Sequence, residues 1–288
     1  MKIWSIEGNH QKLDGGAMFG NAPKAVWERW ITADEYNRIE IPTRAMLVTG
    51  LNGKNVLFET GIGAFFEPKM RQRFGVEESD HLLLSNLLQL GFTEADIDLV
   101  VLSHLHFDHA GGLLSAWQEN EPHQLLFPNA MYLVGEQQWQ RANNPHVRDR
   151  ASFIPQLNQL LAESGRLELV SGSHHPLLGS ELRFSYSDGH TPGLMLAEVG
   201  PASGGGVVFC ADLIPGRAWV HTSISMGYDR CAELLLDEKK VFLQDKLARN
   251  VDLFFTHDLD CALASVLQDE RGRYMVNNEV SILTAYEL

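Results

Sequence analysis

Apolar positions along the chain fall into short runs, continuous or alternating, separated by stretches of helical period. Ile3–Glu7 alternates as a strand does. Arg44–Thr49 and Asn55–Glu59 are apolar runs joined by Leu51-Asn52-Gly53-Lys54, whose Asn-Gly pair predicts a hairpin turn. Leu83, Leu87 and Leu90 recur at helical spacing in Asp80–Leu90, which Gly91 ends. Leu99–Leu102 is short and wholly apolar, the pattern of a strand covered on both faces. Further strands are predicted at Met131–Val134, Leu167–Val170, Leu182–Phe184, Met195–Val199, Val207–Phe209 and Val251–Phe255. Helices are predicted over Glu136–Ala142, Ile154–Ser164, Asp229–Ala248 and Cys261–Asp269. Residues 8–23 hold Gly8, Gly15, Gly16, Gly20 and Pro23, and read as a long irregular loop. Strands alternating with helices, without a Pro/Ser-rich linker, predict one α/β domain over residues 1–288.

Composition narrows the class. The chain has 288 residues, 44% hydrophobic and 21% charged, which excludes disorder. No apolar run nears the roughly 20 residues of a membrane span. The first residues lack the apolar centre of a signal peptide. Cys210, Cys231 and Cys261 form no CxxC pair and suit a reducing, cytoplasmic setting. Lys plus Arg number 23 against 37 Asp plus Glu, a net charge of −14. The richest basic stretch, Lys69–Arg73, reads as a solvated helix face. Nucleic acid and membrane are therefore not expected partners.

Candidate chemistry concentrates in Ser103-His104-Leu105-His106-Phe107-Asp108-His109-Ala110-Gly111-Gly112, directly after the apolar run Leu99–Leu102. Four such ionisable groups in a core would each need a neutralising partner. Imidazole and carboxylate suit zinc and other first-row divalent ions. His104 and His106 alternate past Leu105 and point together; Asp108 and His109 follow the turn. Two metals are the natural reading, one for each pair. His190 lies in a turn between strand candidates, Asp212 follows the apolar strand Val207–Phe209 and His257 follows Val251–Phe255; each sits just past a strand's C-terminal end, where α/β folds place their sites.

The run His104-Leu105-His106-Phe107-Asp108-His109 resembles the HxHxDH signature of the metallo-β-lactamase superfamily, and His190, Asp212 and His257 fall at its remaining ligand positions in order. The resemblance implies an αββα sandwich of two mixed sheets between helical layers. It implies His104, His106 and His190 on one divalent metal, Asp108, His109 and His257 on a second, and Asp212 bridging both. Zinc is the expected metal, with manganese or iron as alternatives. A hydroxide shared by the metals would attack a small-molecule ester or lactone, with Asp108 and Asp212 as its catalytic carboxylates. A phosphoester hydrolase and a metal-binding sensor without turnover are the alternatives.

Within the family, the bridging Asp212, the short stretch after His257 and the acidic charge make this chain most similar to the lactonase and organophosphate-hydrolase branch. Acyl-homoserine lactonases place a tyrosine three residues after the bridging aspartate. That position is Pro215 here, so Tyr228 or His221 is expected to take its role. Met18 and Phe19, set among glycines, are expected to form an apolar rim for the substrate, with Phe65, Phe66, Phe107 and Met226 nearby. Asp14, Asp188 and Asp258 are candidates to orient the imidazoles. A homodimer is compatible with this branch.

Overall fold

The computed structural model describes residues 1–288. In chain order its strands are β1 (Lys2–Ile6), β2 (Gln11–Asp14), β3 (Arg38–Ile41), β4 (Ala45–Leu51), β5 (Lys54–Phe58), β6 (Leu99–Leu102), β7 (Met131–Gly135) and β8 (Leu167–Val170). There follow β9 (Leu182–Ser187), β10 (Leu194–Val199), β11 (Gly206–Phe209), β12 (Val251–Phe254), β13 (Leu263–Gln268), β14 (Tyr274–Val280) and β15 (Tyr286–Glu287). One sheet runs β15-β1-β4-β5-β6-β7-β8 and the other β14-β13-β12-β11-β10-β9, while β2 and β3 form a separate ribbon. Both large sheets are mixed. β5 through β8 are parallel, and so is the β11–β12 pair.

Side-chain alternation explains the layering. In β6, Leu99 and Val101 join the core between the sheets with Phe58, Leu196, Phe209 and Leu253. Val100 and Leu102 face the other way, onto Leu83, Leu87, Leu157 and Leu161 of helices Leu82–Gln89 and Pro155–Glu163. A strand buried on both faces has no polar side, hence its uninterrupted apolar run. Helix Ala232–Arg249 covers the second sheet through Leu235, Phe242 and Leu243. The two mixed sheets with flanking helices are the layers expected of the αββα sandwich.

Two predicted elements differ. Cys261–Asp269 contains the strand β13, not a helix, because β12 and β14 pair with it on both sides. Sheet pairing overrides the helical propensity of its Ala and Leu residues. Residues 8–23 are not an irregular loop. They include β2 and a short helix, Gly15–Phe19, whose first turn is capped by Asp14 accepting from the Ala17 amide at 2.8 Å.

This architecture gathers chain reversals at one edge of the sandwich. Glu59 follows β5, His104 follows β6, Asp212 follows β11 and His257 follows β12, all past strand C-terminal ends. His190 sits in the turn between β9 and β10. Gly111 and Gly112 allow the segment after the cluster to lie against residues 60–62. A Cβ on Gly112 would sit 2.1 Å from the Thr60 carbonyl oxygen. Close approach, rather than an unusual turn, is what requires glycine here, since Gly111 has a helical φ of −61°.

Candidate metal centre

Seven side chains converge at this edge. His104, His106 and His190 bring ligand atoms within 4.8 Å of one another, as do Asp108, His109 and His257. Asp212 lies between the groups. Its Oδ1 is 3.3 Å from both His109 Nε2 and His257 Nε2, and its Oδ2 is 3.2 Å from His190 Nε2 and 3.9 Å from His104 Nε2. One carboxylate thus offers one oxygen to each triad.

The outer nitrogens of four imidazoles are tied down. His257 Nδ1 donates to the Pro42 carbonyl at 2.7 Å, and His190 Nδ1 to Asp229 Oδ1 at 2.9 Å. His109 Nδ1 donates to Glu59 Oε2 at 2.7 Å. His104 Nδ1 donates to Ser103 Oγ at 2.8 Å, and that hydroxyl donates to Glu59 Oε1. Every one of these partners fixes the proton on Nδ1 and leaves the Nε2 lone pair turned inward. His106 is reversed: its Nδ1 lies 3.2 Å from His190 Nε2. Asp108 is held by Gln11, whose Nε2 donates to Oδ2 at 2.7 Å.

The result is a cluster of acceptors without donors. His109 Nε2 and His257 Nε2 face each other at 3.2 Å, and His104 Nε2 and Asp212 Oδ1 are buried with no hydrogen-bond partner. Lone pairs and carboxylate oxygens converging at buried positions suit a cation between them. Protonation follows the same logic. Burial, then the neighbouring imidazoles, drives His104 and His106 well below the usual histidine range. Burial also opposes charge on His109, but Glu59, Asp212 and Asp108 outweigh it and raise this group well above that range. Asp212 is held far below the carboxylate range: burial opposes its ionisation, and His109, His190 and His257 overcome it. Burial likewise opposes charge on His190, and Asp212 and Asp229 raise it. Two neutral imidazoles, an ionised bridging carboxylate and two imidazoles whose surrounding carboxylates favour a positive charge at the centre together suit two divalent ions, which would take the place of the protons on His109 and His190. The residues present therefore fit a pair of such ions.

The carboxylates that orient the rings are Glu59 and Asp229. Asp14, Asp188 and Asp258 do not touch an imidazole. Asp14 caps a helix, Asp188 accepts from the Gly193 amide at 2.7 Å, and Asp258 pairs with Arg217 at 2.9 Å. A signal for Glu59 was present: it directly follows the apolar strand β5, at the same edge of the sandwich as the ligands.

A cleft of about 370 Å³ opens over the cluster. Met18, Phe107, Met226 and Tyr228 line it, with Leu13, Phe74 and Arg148 and the ligands His106, Asp108, His190, Asp212 and His257. Phe19 does not form a rim. It is fully buried, stacked on Trp219 and Trp27 with ring centroids 4.5 and 5.4 Å away. His221 does not reach the cleft either: it packs against Trp30 in a different cavity. Phe65 and Phe66 also lie outside the cleft lining, in the aromatic cluster beside Phe74 and Phe107. Tyr228 is half-exposed in the cleft, and burial, with Asp108 and Asp14 nearby, pushes its phenol up to about 12.

The sequence pattern of the Metallo-beta-lactamase superfamily matches residues 39–258. An N-acyl homoserine lactonase of Bacillus sp is 24% identical over 199 residues, 69% of this chain and 69% of that protein. A solved structure of a probable metal-dependent hydrolase from Staphylococcus aureus superposes with a TM-score of 0.83 at 26% identity, over 96% of this chain and 97% of that one. AidC, a dizinc quorum-quenching lactonase, shares the fold with a TM-score of 0.72 at 20% identity, over 96% of this chain and 94% of its own. No helix is long and apolar enough to cross a membrane.

Proposed function

The chain belongs to the metallo-beta-lactamase superfamily and is a metal-dependent hydrolase; from that premise we propose that it cleaves the ester bond of a small molecule, a lactone or an open ester, with zinc as the metal. The observation that carries this reading is the cleft: an apolar wall of Leu13, Met18, Phe107 and Met226 facing the ligand cluster, with a protonated phenol at Tyr228. Relatives named as lactonases support it. A net charge of −14 disfavours a polyanionic substrate.

Each residue has a definable task. His104, His106 and His190 would hold one ion, Asp108, His109 and His257 the other, and Asp212 both. Bound there, divalent ions supply Lewis acidity and lower the pKa of water. The apolar wall seats the acyl or alkyl portion and excludes water from it. Asp108 Oδ1, the oxygen not taken by Gln11, can accept the proton of the attacking water and return it to the departing alkoxide. Tyr228 stays protonated through the physiological range, so its hydroxyl can donate to the ester carbonyl oxygen as charge develops there. It supplies the phenol that Pro215 cannot. Pro215 instead accepts the His257 backbone N–H at 2.9 Å and fixes that ligand's loop.

The test is a substrate panel. Protein loaded with zinc or manganese is assayed against lactones, aryl esters, thioesters, phosphodiesters and phosphotriesters. Turnover of lactones or carboxylic esters, abolished by His106→Ala, is expected. Turnover confined to phosphoesters would overturn the ester assignment.

A further inference from the structure

Arg148 is the cleft residue to which the proposed chemistry gives no task. It lies in the loop after helix Glu136–Asn143, on the rim of the cleft, and reaches the turn that carries Tyr228. Its Nη2 donates to the Gly227 carbonyl at 2.8 Å and to the Asp229 carbonyl at 3.0 Å, so the side chain straps the loop to that turn. No carboxylate lies within ion-pair distance of it, and its Nη1 and Nε make no hydrogen bond within the protein. The other charged groups of the cleft are committed. Asp108 and Asp212 belong to the ligand cluster, and Asp149 is paired with Arg141 at 2.6 Å. Arg148 is thus the one cationic side chain in the lining, held in place by its own backbone contacts and with donors to spare.

A guanidinium pre-positioned in this way loses little further freedom on binding a ligand, and its hydrogen bonds to an anion are about twice as strong as those to a neutral acceptor. Building on the ester-hydrolase reading, we infer that Arg148 is a specificity-determining residue that binds a carboxylate carried by the substrate. The substrate class is then a monoanionic ester or lactone, with its carboxylate on the acyl side and an apolar stretch lying along Met18 and Met226. A single carboxylate is compatible with the acidic surface, because it meets the exposed Arg148 at the rim of the cleft; a polyanion's outer charges would not.

Matched pairs of esters test this: the monophenyl esters of succinate, glutarate and adipate against phenyl butyrate, valerate and hexanoate. Wild-type protein should favour one anionic member over its neutral partner in kcat/KM by ~10-fold or more, mostly through KM. Arg148→Gln should reduce that ratio ~10-fold, while Arg148→Lys keeps part of it. Loss of the strap alone would slow both members of a pair equally and leave the ratio unmoved. The corresponding anilides, which resist hydrolysis, give the same ratio from calorimetric Kd values. A ratio unchanged by Arg148→Gln overturns the inference and leaves ester hydrolysis standing. An Arg148-dependent anilide preference without ester turnover upholds the inference and overturns ester hydrolysis.

Discussion

Replacing Glu59 by Gln probes how the fold prepares the centre. Glu59 is 1% exposed and serves two ligands with its two oxygens: His109 directly, and His104 through Ser103. Both partners donate to it. A glutamine amide offers one acceptor and one donor, so its NH₂ must meet either His109 Nδ1–H or the Ser103 hydroxyl. The ring or hydroxyl that is opposed has to give way. An imidazole that moves its proton to Nε2 loses the lone pair a metal needs. The charge is lost as well. A hydrogen bond to a charged group contributes about 1.5–3 kcal/mol, or roughly 10- to 150-fold in a binding constant. Partners of metal-bound histidines typically carry about 10- to 100-fold in affinity. Metal affinity of Glu59→Gln should therefore fall ~10- to 100-fold for at least one ion, measured by competition with a chelating dye at about pH 7.5. Ser103→Ala, which cuts only the His104 branch, should fall less. Circular dichroism of both variants checks that the fold persists. Wild-type affinity for both ions in Glu59→Gln would refute the reasoning.

Three further outcomes follow from the packing and the charges. Phe19→Ala removes the ring between Trp27 and Trp219 and should cost about 3–5 kcal/mol in denaturant unfolding, with KM little changed, whereas Met18→Ala should raise KM for apolar substrates. Tyr228→Phe should lower kcat by about 10²-fold, and because its phenol titrates near 12, wild-type activity should show no alkaline loss from this group up to about pH 10. Glu198 is buried, which raises its pKa, but hydrogen bonds from Arg249 and Lys246 bring it down to about 2. Its folded value lies below the unfolded one, so its stabilisation is complete above about pH 4.5 and is lost as pH falls toward 2. At about 1.4 kcal/mol per unit this is roughly 3 kcal/mol, and Glu198→Gln should flatten that part of the acid-unfolding curve.

Ligands and strands were legible in the sequence for one physical reason. His104, His106, Asp108 and His109 lie within six residues, and Asp212 and His257 follow the buried strands β11 and β12, whose apolar runs are strong local signals, while His190 sits in the turn after the part-exposed β9. What supports the ligands was harder to read: Glu59 carries only its place after the apolar strand β5, Asp229 carries no local signal, and both meet the imidazoles only through the tertiary fold. Phe19 misled for the opposite reason. Glycines around an aromatic ring read as an exposed loop, but Gly15 is small because Trp27 packs against it, 2.5 Å from where a Cβ would lie. Cys261–Asp269 misled because its residues favour a helix locally and only the neighbouring strands make it β13.

We propose that seven side chains, drawn from both sheets to one edge of the sandwich, hold two divalent ions bridged by Asp212. Anomalous diffraction at a metal absorption edge, on crystals of protein purified with zinc, tests it most directly. Two peaks per chain are expected within about 4 Å of each other, one among His104, His106 and His190 and one among Asp108, His109 and His257. Asp212→Ala should weaken both peaks, and His257→Ala mainly the second. A single fully occupied peak, with His257 turned away from it, would contradict the claim.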